Sequence, residues 1–439
     1  MALTERIHSH TIDLVVSGAL LSLLCVIAVW NALAYPPIGG FDAEEHIAYA
    51  RSLLDSGGLP QGGASYTPPG FYVLAGLAME VGEAVDLDEP ERGAQLLNAA
   101  FALGSGLLVL ALAGLLFPGR PLVRWASLAF FVCCPVVLKT VAMFHPQPLA
   151  MFLSLLAFWI TARMIVRHNY RVQWWIALVL ALAAAQLVRS VSVWTVGVVL
   201  LTLIAAAVAQ PEHRRRIRAA LAISAVVAVL VPLPWYIHLQ ASGSNAVFGR
   251  GIAVASFENF WPASFYVSPG LPDVITHPQR EDLEPRFFPI LYVETWGDYF
   301  GIWSWGPPRP ELTPQVNRRV AVQSIVGLPL TVMALAGWLA LAGLAATRWR
   351  ESPARLLVAL APMVGLAAVL YYATRGFRAD GDLVKAMFML PAVPFWALSF
   401  GFAVDVLHAR SKRAALPVVV VLAACAAVSL VYATYASVS

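Results

Sequence analysis

Along the 439-residue chain, apolar runs of helix length alternate with short polar interruptions. Runs at roughly 12–34, 94–117, 121–138, 147–166, 173–188, 191–209, 219–237, 323–346, 355–373, 385–407 and 416–436 predict about eleven helices able to cross a hydrocarbon layer about 30 Å thick. One further run, 68–84, is shorter, opens on Pro68-Pro69 and carries Glu80 and Glu83. It reads as a helix lying in the membrane interface. Two segments interrupt the rhythm, 35–93 and 238–322. They divide the chain into an N-terminal transmembrane module (1–237, with the polar loop 35–93), a large loop (238–322) and C-terminal transmembrane helices (323–439).

The placement of charge sets an orientation. With the N-terminus inside, the inner loops hold Arg6; Arg120 and Arg124; Arg163, Arg167 and Arg171; Arg214, Arg215, Arg216 and Arg218; Arg348, Arg350 and Arg355; and Arg410, Lys412 and Arg413. Every inner loop is then short and basic, as the positive-inside rule requires. Most acids and both long loops fall outside. If 68–84 crossed the membrane, the following basic loops would change sides, which favours the interfacial reading. The expectation is a multi-pass protein of the plasma or inner membrane, N-terminus cytoplasmic, with its chemistry-bearing loops outside. Nucleotide-sugars and ATP are absent there, so a transferase on that side must use an activated donor carried in the membrane.

Composition agrees. The chain is 59% hydrophobic and 12% charged, against about 25% charged residues in soluble proteins. A net charge of +4 and a pI near 8.9 do not signal a nucleic-acid partner, because the cations are scattered between apolar runs. Cys25, Cys133, Cys134 and Cys425 lie in apolar runs without metal-ligand spacing, and no disulfide framework is expected.

The densest chemistry follows the first helix, in Tyr35-Pro-Pro-Ile-Gly-Gly-Phe-Asp42-Ala-Glu44-Glu45-His46-Ile-Ala-Tyr49-Ala-Arg51. From Asp42 to Asp55 the pattern is an amphipathic helix, with Ile47, Ala50 and Leu54 on one side and Asp42, Glu45, His46 and Tyr49 on the other, ended by Gly57-Gly58. Asp42 suits an N-cap that closes a capping box with Glu45. It also suits a general base, since a carboxylate at the mouth of an apolar groove is partly desolvated and more basic. His46, one turn on, could orient Asp42 or bind a phosphate. Tyr66 and Tyr72 flank Pro68-Pro69 and suit either stacking on a sugar or anchoring at the interface.

Other candidates lie further along. Lys139 stands at an outer helix end, as a snorkelling anchor or a phosphate contact. His145 and Gln147 occupy the short loop that follows. Arg189 is flanked by apolar runs on both sides, where a charge is costly and usually paired or functional. The loop 238–322 is rich in aromatic residues and reads as a small, partly ordered lid, with Glu294, Trp296 and Asp298 on its helix-like part. Arg375, Arg378 and Lys385 precede the tenth span, where a lysine beside the free N–H groups of a helix start makes a phosphate site.

An acidic residue after the first helix, an Asp-x-x-x-His-x-x-Tyr helix, a Pro-Pro-aromatic segment, and Arg92-x5-Asn98 leading a span that ends Leu116-Phe117-Pro118-Gly119-Arg120 resemble the GT-C superfamily. The similarity is best over 30–165. It is to bacterial phospholipid-carrier-dependent glycosyltransferases, similar in plan to protein O-mannosyltransferases and lipid A aminoarabinose transferases. The resemblance implies an all-α membrane fold with interfacial helices in the first outer loop. It implies transfer of a sugar from a polyprenyl-phosphate donor to a glycan, lipid or protein acceptor, with Asp42 as acid/base and Lys385, with Arg378 or Arg375, on the donor phosphate. Relatives often have Asp-Glu in tandem, whereas Ala43 follows Asp42 here, so Glu44 and Glu45 stay open as the base. Many relatives carry a second acid where this chain has His145 and Gln147, which implies a metal-independent enzyme or metal ligands from elsewhere. A transporter of lipid-linked saccharides would instead place charges mid-helix and repeat its halves. An inactive scaffold of the same fold is the remaining alternative.

Overall fold

The computed structural model describes residues 2–59, 63–242, 262–280, 282–301, 303, 314–374 and 383–435. Among them every regular element is a helix. In chain order these are α1 (Ala2–Ala34), α2 (Ala43–Ser56), α3 (Gly70–Ala84), α4 (Arg92–Leu116), α5 (Pro121–Val132), α6 (Pro135–Ala142), α7 (Gln147–Val166), α8 (Val172–Val188) and α9 (Val193–Ala209). They continue as α10 (Arg214–Leu230), α11 (Leu233–Ala241), α12 (Ala263–Val267), α13 (Asp273–Thr276), α14 (Phe287–Trp296), α15 (Pro314–Arg348), α16 (Leu356–Thr374), α17 (Val393–Arg410) and α18 (Lys412–Tyr432).

All eleven apolar runs fall on helices, but the expected count of eleven spans is not established. Among the described residues nine helical stretches are long and apolar enough to cross a membrane, and the pair α5–α6 makes a tenth if its 50° bend lies within one span. The bend has a local cause: Pro135 lacks an N–H and crowds the preceding turn, so the run expected to be continuous over 121–138 breaks at Cys133-Cys134. α8 has 17 residues, short for a span. The tenth apolar run starts as a 3-10 segment, Ala386–Ala392, around Pro391, and becomes α-helical only at Val393. The chain is a multi-pass membrane protein.

The centre of the bundle is the stretch Ala386–Arg410, where 83% of the most apolar window is buried, against 17% in the equivalent windows of α1 and α18, which lie on the outside of the bundle. α17 packs on α5 and α15. Small residues permit this: a Cβ on Gly401 would sit 2.2 Å from Ser127 Oγ and 2.5 Å from the Val123 carbonyl.

The polar loop after α1 has its own core. α3 is too short to span, buries Phe71, Tyr72, Ala75 and Met79, and leaves Val73, Leu77 and Val81 exposed on its other side, as an interfacial helix should. A second hydrophobic cluster joins Ile47, Tyr49 and Ala50 of α2 to this face and to Phe144 and Leu149. Gly93 lets α4 touch α3, since a Cβ there would lie 2.0 Å from the Ala78 carbonyl. Arg92 hydrogen-bonds to the Leu33 carbonyl, and Arg51 pairs with Glu91. The loop is thereby fixed to the ends of α1 and α4.

Candidate functional site: a chamber beside an apolar groove

Asp42 sits at the N-cap position of α2, as its sequence context predicts, but it does not act as a cap. Its side chain makes no capping hydrogen bond, and its backbone is left-handed, with φ 56° and ψ 26°. The capping box with Glu45 therefore does not form. The α2 helix ends at Ser56, with Gly57 at φ 65° supplying the left-handed stop. The Asp42 carboxylate borders a small chamber of about 40 Å3, whose wall also includes His46, Tyr66, His145, Arg189 and Lys385. The chain brings together at one point six residues spread over 344 positions of sequence, from Asp42 to Lys385.

The chamber floor is built of neutral imidazoles. His46 is buried, its Nδ1 lying 2.7 Å from the Tyr72 hydroxyl. Its Nε2 has no hydrogen-bond partner among the described residues. Tyr72 stacks on Tyr49 at 3.9 Å between centroids, so Tyr49 backs the Tyr72 ring and does not line the chamber. The His145 ring meets His46 edge to face at 4.9 Å. His145 Nδ1 accepts the Gln147 backbone N–H at 3.2 Å, so it caps the start of α7 and also lines the chamber. Burial, and then the positive charges of Arg189 and Lys385, hold the His46 imidazole well below its ordinary range; burial, followed by His46, does the same to His145. Both rings are therefore uncharged near neutrality. Burial pushes the Tyr66 hydroxyl upward, with the Asp42 charge adding to it.

Two cations border the chamber. Lys385, at the start of the 3-10 segment Ala386–Ala392, holds Nζ 4.1 Å from the Phe41 ring centroid. Arg189, in the turn after α8, donates to Thr67 Oγ1 at 3.3 Å and lies 5.5 Å from the Phe388 ring centroid. No carboxylate among the described residues pairs with Arg189. Arg189 also lines a larger apolar groove of about 170 Å3, which shares Tyr66, Tyr372 and Phe388 with the chamber and continues along Val193, Trp194 and Val369. Val193 and Tyr371 on its rim are 50% and 44% exposed, so the groove opens sideways on the outer surface of the bundle.

Several expected site residues lie elsewhere. Glu44 and Glu45 are exposed and do not border the chamber, because α2 turns its buried face, with His46 and Tyr49, inward. Lys139 is neither a snorkelling anchor nor available to a phosphate. It is 2% exposed, and its Nζ donates to Glu294 Oε1 at 3.1 Å and to the carbonyls of Glu294 and Gly297 at 3.0 and 2.6 Å. Asp298 belongs to the same lock, accepting the Trp303 N–H at 2.7 Å, and Trp296 donates to Thr331 Oγ1 at 2.7 Å. Lys139 thus fastens α14 and the turn after it to α6, Trp296 fastens it to α15, and neither Trp296 nor Asp298 lines the chamber. Gln147 is fully buried, with both amide atoms unpartnered among the described residues, and is not on the chamber lining. Arg375 and Arg378 lie outside the described residues, as does much of the expected lid.

Sequence reading missed Tyr372, Thr67 and Phe388, which carry no signal in isolation. It also missed the work of Asn98, whose amide donates to the carbonyls of Met143 and His145, both at 3.0 Å, and so fixes the second loop beside the chamber. A buried polar residue four positions into a span was the available clue.

Among the described residues, Asp42, His46 and His145 do not bring three ligand atoms together; the group that does, His168, Glu212 and His213, joins the loops after α7 and α9 at the other end of the bundle.

No family model matches the sequence. No curated protein matches it. Solved structures do. The apo oligosaccharyltransferase of Archaeoglobus fulgidus aligns with TM-score 0.54 and 13% identity over 96% of this chain and 55% of that one. The archaeal oligosaccharyltransferase AglB from the same organism, in complex with an inhibitory peptide and a dolichol-phosphate, aligns with TM-score 0.57 and 12% identity over 95% and 56%. ArnT from Cupriavidus metallidurans, bound to undecaprenyl phosphate, aligns with TM-score 0.52 and 15% identity over 93% and 63%. The chain thus spans between about half and two thirds of the length of these proteins. Likeness at this identity is a likeness of fold alone: this chain shares the helical membrane fold of these solved structures.

Proposed function

We propose that the chain is a membrane glycosyltransferase that moves a sugar from a polyprenyl-phosphate donor to an acceptor hydroxyl, with Asp42 as general base. The observation that carries this reading is the continuity between the Asp42 chamber and the sideways-opening apolar groove, with Arg189 at their junction. A prenyl chain in the groove brings its phosphate to Arg189, with Lys385 on the far wall. The sugar then lies against Asp42, His46 and His145. The lipid phosphates held by two proteins of this fold, dolichol-phosphate and undecaprenyl phosphate, have the matching chemistry.

The step follows from these positions. The acceptor oxygen attacks the anomeric carbon as its proton passes to the Asp42 carboxylate. The bond from that carbon to the phosphate oxygen breaks, and the electron pair leaves with the prenyl phosphate. Arg189 and Lys385 stabilise the charge that develops there. A single displacement inverts the anomeric centre. The neutral imidazoles donate or accept hydrogen bonds to sugar hydroxyls without competing for the proton. A chamber of about 40 Å3 has room for a few water molecules, so donor binding must displace its side chains. The positive-inside pattern supports an extracytoplasmic site.

The test is transfer by purified protein from a panel of polyprenyl-phosphate sugars, with and without EDTA. Turnover that Asp42→Asn abolishes supports the reading. Donor binding without turnover, unchanged in that variant, favours transport or a scaffold role.

A further inference from the structure

At the other end of α8 from Arg189, four arginines surround a polar cleft of about 600 Å3: Arg163, Arg167, Arg171 and Arg216. We propose that this cleft binds the phosphate headgroup of an anionic phospholipid, in the leaflet opposite the Asp42 chamber.

Three observations carry this. The first is unneutralised charge. None of the four arginines pairs with a carboxylate among the described residues, whereas Arg120 and Arg124, also at a basic end, pair with Asp405 at 3.0 Å and Asp13 at 2.8 Å. Glu212, the nearby acid, faces His168 and His213.

The second is that the cleft is built. The Arg163 guanidinium lies over Trp174 at 4.6 Å and Trp159 at 5.5 Å. Tyr170 donates to Gln210 at 2.5 Å, Gln210 donates to the Ile165 carbonyl at 3.3 Å, and His168 turns the chain at φ 48°. A topology signal needs only basic residues somewhere in a loop; it needs neither a cavity nor a stacked guanidinium.

The third observation separates a lipid from a soluble anion. Val172, Ile176 and Leu180, four residues apart, are 59%, 55% and 63% exposed. They form an apolar stripe leading from the cleft about 12 Å along α8, at 1.5 Å per residue. Acyl chains on that stripe place the phosphate among the arginines.

Native mass spectrometry of the full chain in detergent tests this, titrating phosphatidylglycerol against phosphatidylcholine of the same acyl length. The anionic lipid is expected to bind at least about tenfold more tightly, at roughly fivefold per engaged arginine. The double variant Arg163→Gln/Arg171→Gln should lose most of that preference. Arg348→Gln/Arg350→Gln, in another exposed basic loop, should keep it. Where the double variant does not fold, Arg167→Gln, on an exposed side chain, should still lower the preference about fivefold. Wild type without a preference overturns the proposal whatever the variants do. Equal loss in Arg348→Gln/Arg350→Gln overturns it in favour of diffuse surface charge. Displacement of the lipid by millimolar inorganic phosphate overturns it in favour of a soluble anion.

Discussion

Lys139 and Arg189 are both cations that the sequence places beside apolar runs, and the structure gives them opposite surroundings. Lys139 has all three N–H groups engaged, one on the Glu294 carboxylate and two on carbonyls. Arg189 meets a hydroxyl and a ring face, and no carboxylate among the described residues. A cation neutralised at short range within its own fold contributes rigidity. A cation held only by neutral groups keeps its field directed into the cavity it borders. Burial alone does not distinguish a lock from a binding site; the identity of the partners does.

That contrast can be broken from either side. The largest effect is expected at the chamber: Asp42→Asn should lower transfer by about 10²–10⁴-fold with an unchanged unfolding temperature. A variant that unfolds early would make Asp42 part of the scaffold. At the lock, Lys139→Met should destabilise by about 3–5 kcal/mol in thermal unfolding, because it strands Glu294. Lys139→Met/Glu294→Gln should recover much of that loss; if it does not, the pair is not the lock. Arg189→Gln should weaken donor affinity about 10- to 100-fold, as for a charged hydrogen bond, with little change in stability. A stability loss as large as that of Lys139→Met would erase the distinction.

Acidification sharpens the same comparison. His46 and His145 have folded pKa values below the ordinary 6.5, so the unfolded chain binds more protons below that pH. Stability should be fully present above about pH 6.5 and decline as pH falls below it, read as a falling unfolding temperature. The smallest effect is expected for Tyr72→Phe. It removes the hydroxyl at His46 Nδ1 and should cost about 1 kcal/mol.

What the sequence revealed followed from local rules. The apolar runs located the helices, the short run with Glu80 and Glu83 separated α3 from the spans, and Gly57 marked the end of α2. Asp42, His46, Tyr66, His145, Arg189 and Lys385 were all named from residue type and position, and they converge. The misses were of two kinds. Some were local and readable, such as the break before Pro135. Others depended on contacts far apart in the chain. Lys139 meets a glutamate 155 residues away, and no local pattern reports that such a carboxylate will arrive. Glu44 and Glu45 were indistinguishable from Asp42 in chemistry. Only the turn of α2 about its axis set them outside.

The left-handed backbone at Asp42 has an evolutionary corollary. A side chain at φ 56° is tolerated by aspartate and asparagine but suits glycine better. Selection for folding alone would therefore drift this position toward residues that cannot accept a proton. If Asp42 is the base, a homologue with glycine at this position is expected to keep the fold and lose transfer.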